Sequence, residues 1–181
     1  MKKRPASLSA SFPPADGASE TPPTALEIAR ARSALLVRPG FLIRRLHQVH
    51  VALFVEETQA FNITPVQYSL MTALDERGDI DQVSLASDIG LERSGIAEVI
   101  PRLEARGLIT RRPSATDGRV KLHRLTPKGR ALVQRMSAAV NRAHERTVEQ
   151  LPPKKREAFL LMLIQLVELN QPDGVAPFRN R

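Results

Sequence analysis

Basic side chains crowd one part of this chain. Arg93, Arg102, Arg111, Arg112, Arg119 and Lys121 fall between residues 91 and 135, where eleven Lys and Arg face four Asp and Glu, whereas residues 39 to 90 carry three against seven. Cations gathered this way suit a polyanion, because each one that neutralises a phosphate releases condensed counterions. Arg93, Ser94, Glu98 and Arg102 share helical spacing, and their groups match a duplex. Arginine serves phosphate or the guanine edge, and glutamate accepts from the amino group of cytosine. Serine serves a phosphate or, equally well, the cap of its own helix. Arg111, Arg112, Arg119 and Lys121 flank the short polar stretch SATDGR, and an arginine at such a tip fits the negative potential of a narrow minor groove. Asp117 in that tip is unwelcome near phosphate and reads as a structural residue that pairs with an arginine to fix the loop.

A second constellation lies upstream. Ile43, His47, His50 and Phe54 repeat at helical spacing, Arg45 stands beside them, and Tyr68 and Met71 occupy i and i+3 on a following segment. Imidazoles and a phenol give an apolar slot a few hydrogen-bonding handles, suited to an aromatic carboxylate or its thioester with Arg45 as counter-charge. The same residues read equally well as hydrogen-bonding partners in a subunit seam and as ordinary core. Enzyme chemistry finds little support: the chain has no phosphate-cradling glycine loop, no HExxH and no GxSxG, and its four histidines lack carboxylates at metal-site spacing. No catalytic residue, metal or cofactor is expected. The absence of cysteine removes disulfides and thiol-based redox sensing. No apolar run approaches the roughly 20 residues of a membrane span, and the MKKRP opening is not followed by an apolar segment, so a cytoplasmic protein with no membrane partner is expected.

The elements that position these residues follow from caps and periodicity. Residues 1–23, rich in Pro, Ser and Ala, read as a disordered arm, and 171–181 as a tail. A short helix over TALEIARARSALLV, with Leu26, Ala29, Ser33 and Leu36 on one side, is expected to stop at Arg38-Pro39-Gly40. A long helix then starts at Phe41 with the stripe Leu42, Leu46, Val49 and Leu53. Thr64-Pro65 opens a helix burying Val66, Leu70, Ala73 and Leu74. A helix from Gln82 or Val83 ends at Gly90, another runs from Arg93 or Ser94 to Gly107, and Leu85, Ala86, Ile89, Leu91, Ile96 and Val99 fall where two helices cross at a tight turn. Residues 108–112 and 119–125 alternate as two antiparallel strands. Thr126-Pro127 launches a second long helix through Leu132, Met136, Val140, Ala143 and Val148, and a last helix after Pro152-Pro153 buries Phe159, Leu163 and Leu166 or Val167.

Taken together, the helix-turn-helix, the junction RLEARGLITRR (residues 102–112), the DGR tip (117–119) and the helix start LTPKGRAL (125–132) make residues 40–170 resemble the MarR-type winged helix-turn-helix transcription regulators. The resemblance implies a mainly α fold with a small β-hairpin wing, one domain over 24–170, dimerisation helices at about 40–61, 127–149 and 153–169, and a winged helix-turn-helix at about 64–125. It further implies an intertwined homodimer on a pseudo-palindromic operator, commonly repressing genes and released by a small aromatic acid bound between the dimer region and the DNA-binding lobe. That puts the effector near Arg45, His47, His50, Tyr68 and Met71. Pro101 departs from the pattern and is expected to kink the recognition helix; Glu98 departs where many relatives resemble one another in carrying an arginine. A sequence-neutral architectural DNA binder without an effector is the alternative, and it differs in favouring no single site.

Overall fold

Capping chemistry sets where the helices begin. In the computed structural model, which describes residues 22–170, Thr24 Oγ1 accepts the Glu27 amide while the Glu27 carboxylate accepts the Thr24 amide at 2.7 Å, opening α1 (Ala25–Arg32). Nearly all of the proposed N-terminal arm and the whole of the 171–181 tail lie outside the described residues. Ser33 is extended, and its hydroxyl accepts from Leu35 to start a separate 3-10 turn, Ala34–Val37, so the single helix expected here is broken. The described chain divides into two units, one reaching Leu42 and one beginning at Ile43.

Pro39, expected as a stop, is instead the first residue of α2 (Pro39–Thr58). Its fixed φ and missing N–H suit a first turn, where that donor has no intrahelical partner. The buried side of α2 is not the expected stripe: Phe54 and Thr58 are buried, whereas Leu42 and Val49 are exposed and Leu46 and Leu53 half-buried. A 3-10 turn, Gln59–Phe61, leads to Thr64, whose capping box with Gln67 opens α3 (Pro65–Arg77) as the sequence indicates. Leu70, Met71 and Leu74 are buried on α3, but Val66 faces solvent.

A strand absent from the sequence expectation follows. β1 (Ile80–Asp81) pairs antiparallel with β3 (Lys121–Leu125), which also pairs with β2 (Ile109–Pro113), giving the sheet order β1-β3-β2. Two residues are too short to alternate visibly. Asp81 then caps α4 (Gln82–Asp88) by accepting the amides of Val83 and Ser84. Gly90, at φ 64°, turns the chain into α5 (Arg93–Ala105), a conformation that costs glycine least. The helix continues through Pro101 as one element.

α6 (Pro127–Val148) starts at Thr126, whose hydroxyl accepts the Gly129 amide and donates to the Gly107 carbonyl. Gly129 lies so close to the Leu108 carbonyl that a Cβ there would collide with backbone, which fixes the first turn of α6 against the end of α5's connection. Leu85, Ile96, Leu103, Leu108, Leu70, Met71 and Met136 form the centre of the core. α7 (Pro153–Leu169) is different: none of its residues is buried, Phe159 and Leu163 are only half-covered, and Leu161, Leu166 and Leu169 are 58%, 55% and 75% exposed. The expected burial of Leu166 or Val167 does not occur among the described residues.

Candidate DNA-binding surface and effector site

α5 buries Ile96, Ile100 and Leu103 and turns Ser94, Ala97, Glu98, Pro101 and Arg102 outward. The apolar positions alone dictate which residues face solvent. Arg93 is the first residue of the helix, and its side chain lies outside the described set. Ser94 does not cap the helix. Glu92 holds the N-cap position without a side-chain cap bond, so the amides of the first turn and the Ser94 hydroxyl remain available to an incoming anion. Glu98 and Arg102 approach to 3.8 Å as an exposed i,i+4 pair, which holds Arg102 only weakly.

The wing tip is ordered by its own backbone. Asp117 Oδ1 accepts the Arg119 amide at 2.9 Å, the Asp117 carbonyl accepts the Val120 amide, and the Ser114 amide donates to the Val120 carbonyl. Asp117 is therefore structural, but it holds main-chain amides where a guanidinium partner was expected. Arg119 is exposed, and among the described residues its guanidinium has no acidic partner. Lys121 Nζ lies 3.4 Å from the Gly118 carbonyl, within the same loop. Arg112 is placed differently. Its Nε and Nη2 donate to the two Asp79 oxygens at 3.2 and 2.7 Å, and Arg124 lies 3.5 Å from the same carboxylate. Hydrogen bonding from Arg112 holds the Asp79 carboxyl below the usual carboxylate range, and Asp79 holds the Arg112 guanidinium more firmly protonated. Expected as a free cation, Arg112 is committed to fastening the wing to the turn before β1. Asp79 and Arg124 were not singled out by the sequence, since Asp79 sits 33 residues from Arg112 and further still from Arg124.

The effector candidates separate in the same way. His50 Nδ1 lies 2.9 Å from Thr147 Oγ1, whose own proton goes to the Ala143 carbonyl at 2.7 Å, so the imidazole donates and its Nε2 is left as an acceptor. The ring stacks on His144 at a centroid distance of 4.9 Å and meets the edge of Phe54 at 6.3 Å; Phe54 in turn lies 6.0 Å from Tyr68. Burial, reinforced by His144 and His47, lowers the His50 pKa and keeps the ring neutral near pH 7. His50 and Tyr68 are thus joined through Phe54 at the meeting of α2, α3 and α6. Met71 is fully buried, so it backs this cluster from the core and does not line an open slot. Arg45 and His47 are exposed, and Arg45 donates to Gln48. His144 and Thr147 escaped the sequence reading, although an imidazole and a hydroxyl at i and i+3 on α6 were its signal.

A cavity of about 270 Å³ lies elsewhere, lined by Phe61, Arg106, Leu108, Lys128, Leu132 and Arg135. Arg106 crosses from the end of α5 to the carbonyls of Asn62 and Phe61 at 2.6 and 3.2 Å, and Lys128 Nζ donates to the Arg106 carbonyl. Among the described residues no group of His, Asp and Glu has the arrangement to hold a metal ion, and no helix is long and apolar enough to cross a membrane.

Two short helices crossing at a glycine, followed by a hairpin that β1 extends to a three-stranded sheet, define a winged helix-turn-helix protein. Residues 63–121 match the MarR family. The chain is similar to the transcriptional repressor NicR of Pseudomonas putida, 27% identical over 135 residues that cover 75% of this chain and 85% of that one. It is also similar to BpsR of Bordetella bronchiseptica, whose DNA binding is regulated by 6-hydroxynicotinic acid, at 30% identity, TM-score 0.69, and 73% and 94% coverage. The transcriptional repressor CouR, solved on a 23-mer DNA duplex, matches at 30% identity, TM-score 0.67, and 72% and 92% coverage. This protein belongs to the MarR family, whose members are DNA-binding regulators.

Proposed function

We propose that the chain is a cytoplasmic, homodimeric repressor of genes for the uptake or breakdown of a small aromatic acid, and that this acid or a derivative releases it from a pseudo-palindromic operator. The observation that carries the reading is the pairing of a solvent-facing helix and an arginine-tipped wing with an α7 whose apolar residues find no cover among the described residues. One helix in one groove binds weakly; two related by a two-fold reach half-sites roughly 34 Å apart and double the phosphate contacts. α7 and the exposed side of α2 supply the seam. Arg93, Ser94, Glu98 and Arg102 face the major groove, Arg119 enters the minor groove, and Arg111 and Lys121 meet phosphate at its edges. The aromatic acid sits by His50 and Tyr68, with Arg45 and His47 at the entrance. By analogy, CouR, solved on a DNA duplex, supports the DNA half of this reading, and BpsR, whose DNA binding is regulated by 6-hydroxynicotinic acid, supports the ligand half.

The test is to sequence the duplexes that the purified protein selects and then to screen aromatic acids for release. One site favoured by roughly 10³-fold or more is expected. His50→Ala and Tyr68→Phe should each raise the acid concentration needed for release while leaving ligand-free DNA binding intact. Uniform affinity for every duplex would overturn the repressor reading, and unaltered release in both variants would move the effector elsewhere.

A further inference from the structure

Where the recognition helix meets the wing, a buried imidazole and carboxylate are left unused by the reading above. His123, in the middle strand, is 4% exposed. Its Nδ1 and Glu104 Oε1, from the last turn of α5, are both buried without a hydrogen-bond partner. They face each other at 3.9 Å, and Arg111 Nε stands 3.8 Å from the same Glu104 oxygen. The strand register explains the meeting: Arg111 lies directly across from His123 in the β2–β3 ladder, so both side chains leave one face of the sheet. Arg111 is largely exposed at its outer end, whereas His123 is sealed.

Buried polar atoms are nearly always matched, and a carboxylate oxygen facing an imidazole nitrogen across a gap slightly too long for a hydrogen bond needs a reason. With its one proton on Nε2, a neutral His123 turns a lone pair towards Glu104. A proton on Nδ1 turns that repulsion into a charge-assisted bond. Burial lowers the His123 pKa; Glu104 pulls it back up, Arg111 pushes it down and Asp81 raises it.

We propose that Arg111 and His123 share Glu104, and that DNA binding draws Arg111 onto a phosphate, leaves Glu104 to His123 and takes up a proton from solvent at His123 Nδ1. This rests on the DNA-binding reading and extends it to a proton-linked affinity. Of the other charges on β3 and the elements packed around it, Asp81 of β1 caps α4, Arg112 of β2 and Arg124 of β3 hold Asp79, Arg77 of α3 pairs with Asp88 of α4, and Arg130 of α6 pairs with Asp75 of α3. The sign is set by linkage. The DNA-bound form holds its proton more tightly, so affinity rises as pH falls through the imidazole range.

Anisotropy titrations of a duplex selected by the full-length protein, at fixed ionic strength from about pH 5.5 to 8.5, read this directly. Binding should tighten by about threefold to tenfold per pH unit on the acid side of neutrality. Glu104→Gln has no charge to hand over and should flatten the slope while still binding, and His123→Gln should do the same. Calorimetry of the wild-type protein with the same duplex, in two buffers of different ionisation enthalpy, counts the proton without any variant. Zero uptake overturns the proposal, as does uptake that persists in Glu104→Gln. Binding that is present but indifferent to pH removes the coupling alone, whereas absence of binding at every pH removes the DNA-binding reading as well.

Discussion

The winged half of the second unit and its terminal helices solve the burial problem differently. α3, α4, α5 and the sheet close over Leu70, Leu85, Ile96, Leu103 and Leu108 within one chain, leaving a polar, cationic exterior. α7 does the reverse, with Leu160, Leu161, Met162, Ile164 and Leu166 all uncovered. A soluble monomer seldom carries so long an apolar face without a partner for it. The first region is finished by folding, whereas the second keeps its apolar face open among the described residues, where the proposed partner subunit covers it. Stability of the reading head and integrity of the dimer are therefore separable properties.

The strongest way to break that contrast is a charge on α7. Leu161→Lys should raise the dimer dissociation constant by about a hundredfold or more, since a two-fold interface meets the change twice, while circular dichroism keeps the helical signal of the winged half; sedimentation velocity gives the result. Leu103→Ala tests the other side. Its fully buried side chain should cost about 2–5 kcal/mol in the denaturation of the winged half, and the dimer should persist in conditions where that half still folds. Arg119→Ala is milder: operator affinity falls and the slope of its logarithm against salt flattens by about one unit, with no change in melting temperature. Asp79→Asn sharpens the distinction between anchoring and reading. The depressed Asp79 pKa means that its fastening of Arg112 is present above the usual carboxylate range and fades only as pH drops below it, so the wild-type wing amides should stay protected at mildly acidic pH. In Asp79→Asn, hydrogen exchange across β2 and β3 should be faster at neutral and mildly acidic pH, and the difference should close where Asp79 protonates.

Features governed by near neighbours were readable in the chain itself. Thr64-Pro65 and Thr126-Pro127 begin helices because cap and first-turn geometry involve only three or four residues, and Gly90 marks its turn by its own φ. Arg119 at the wing tip needed only the local SATDGR signal. What escaped depends on distant partners. Arg112 is fastened by Asp79, His50 meets Thr147 from another helix 97 residues on, and β1 exists only because β3 pairs with it. Ser94 fell two positions past the N-cap Glu92, a shift that no propensity resolves, and α7 was assigned a burial that the described residues do not supply.

Arg106 gives the molecule a rigid strut. By gripping the carbonyls of Phe61 and Asn62 from the far end of α5, it ties the reading helix to the turn in which α2 finishes. If the proposed acid tilts α2 near His50, this grip is the path by which the movement would reach the reading helix.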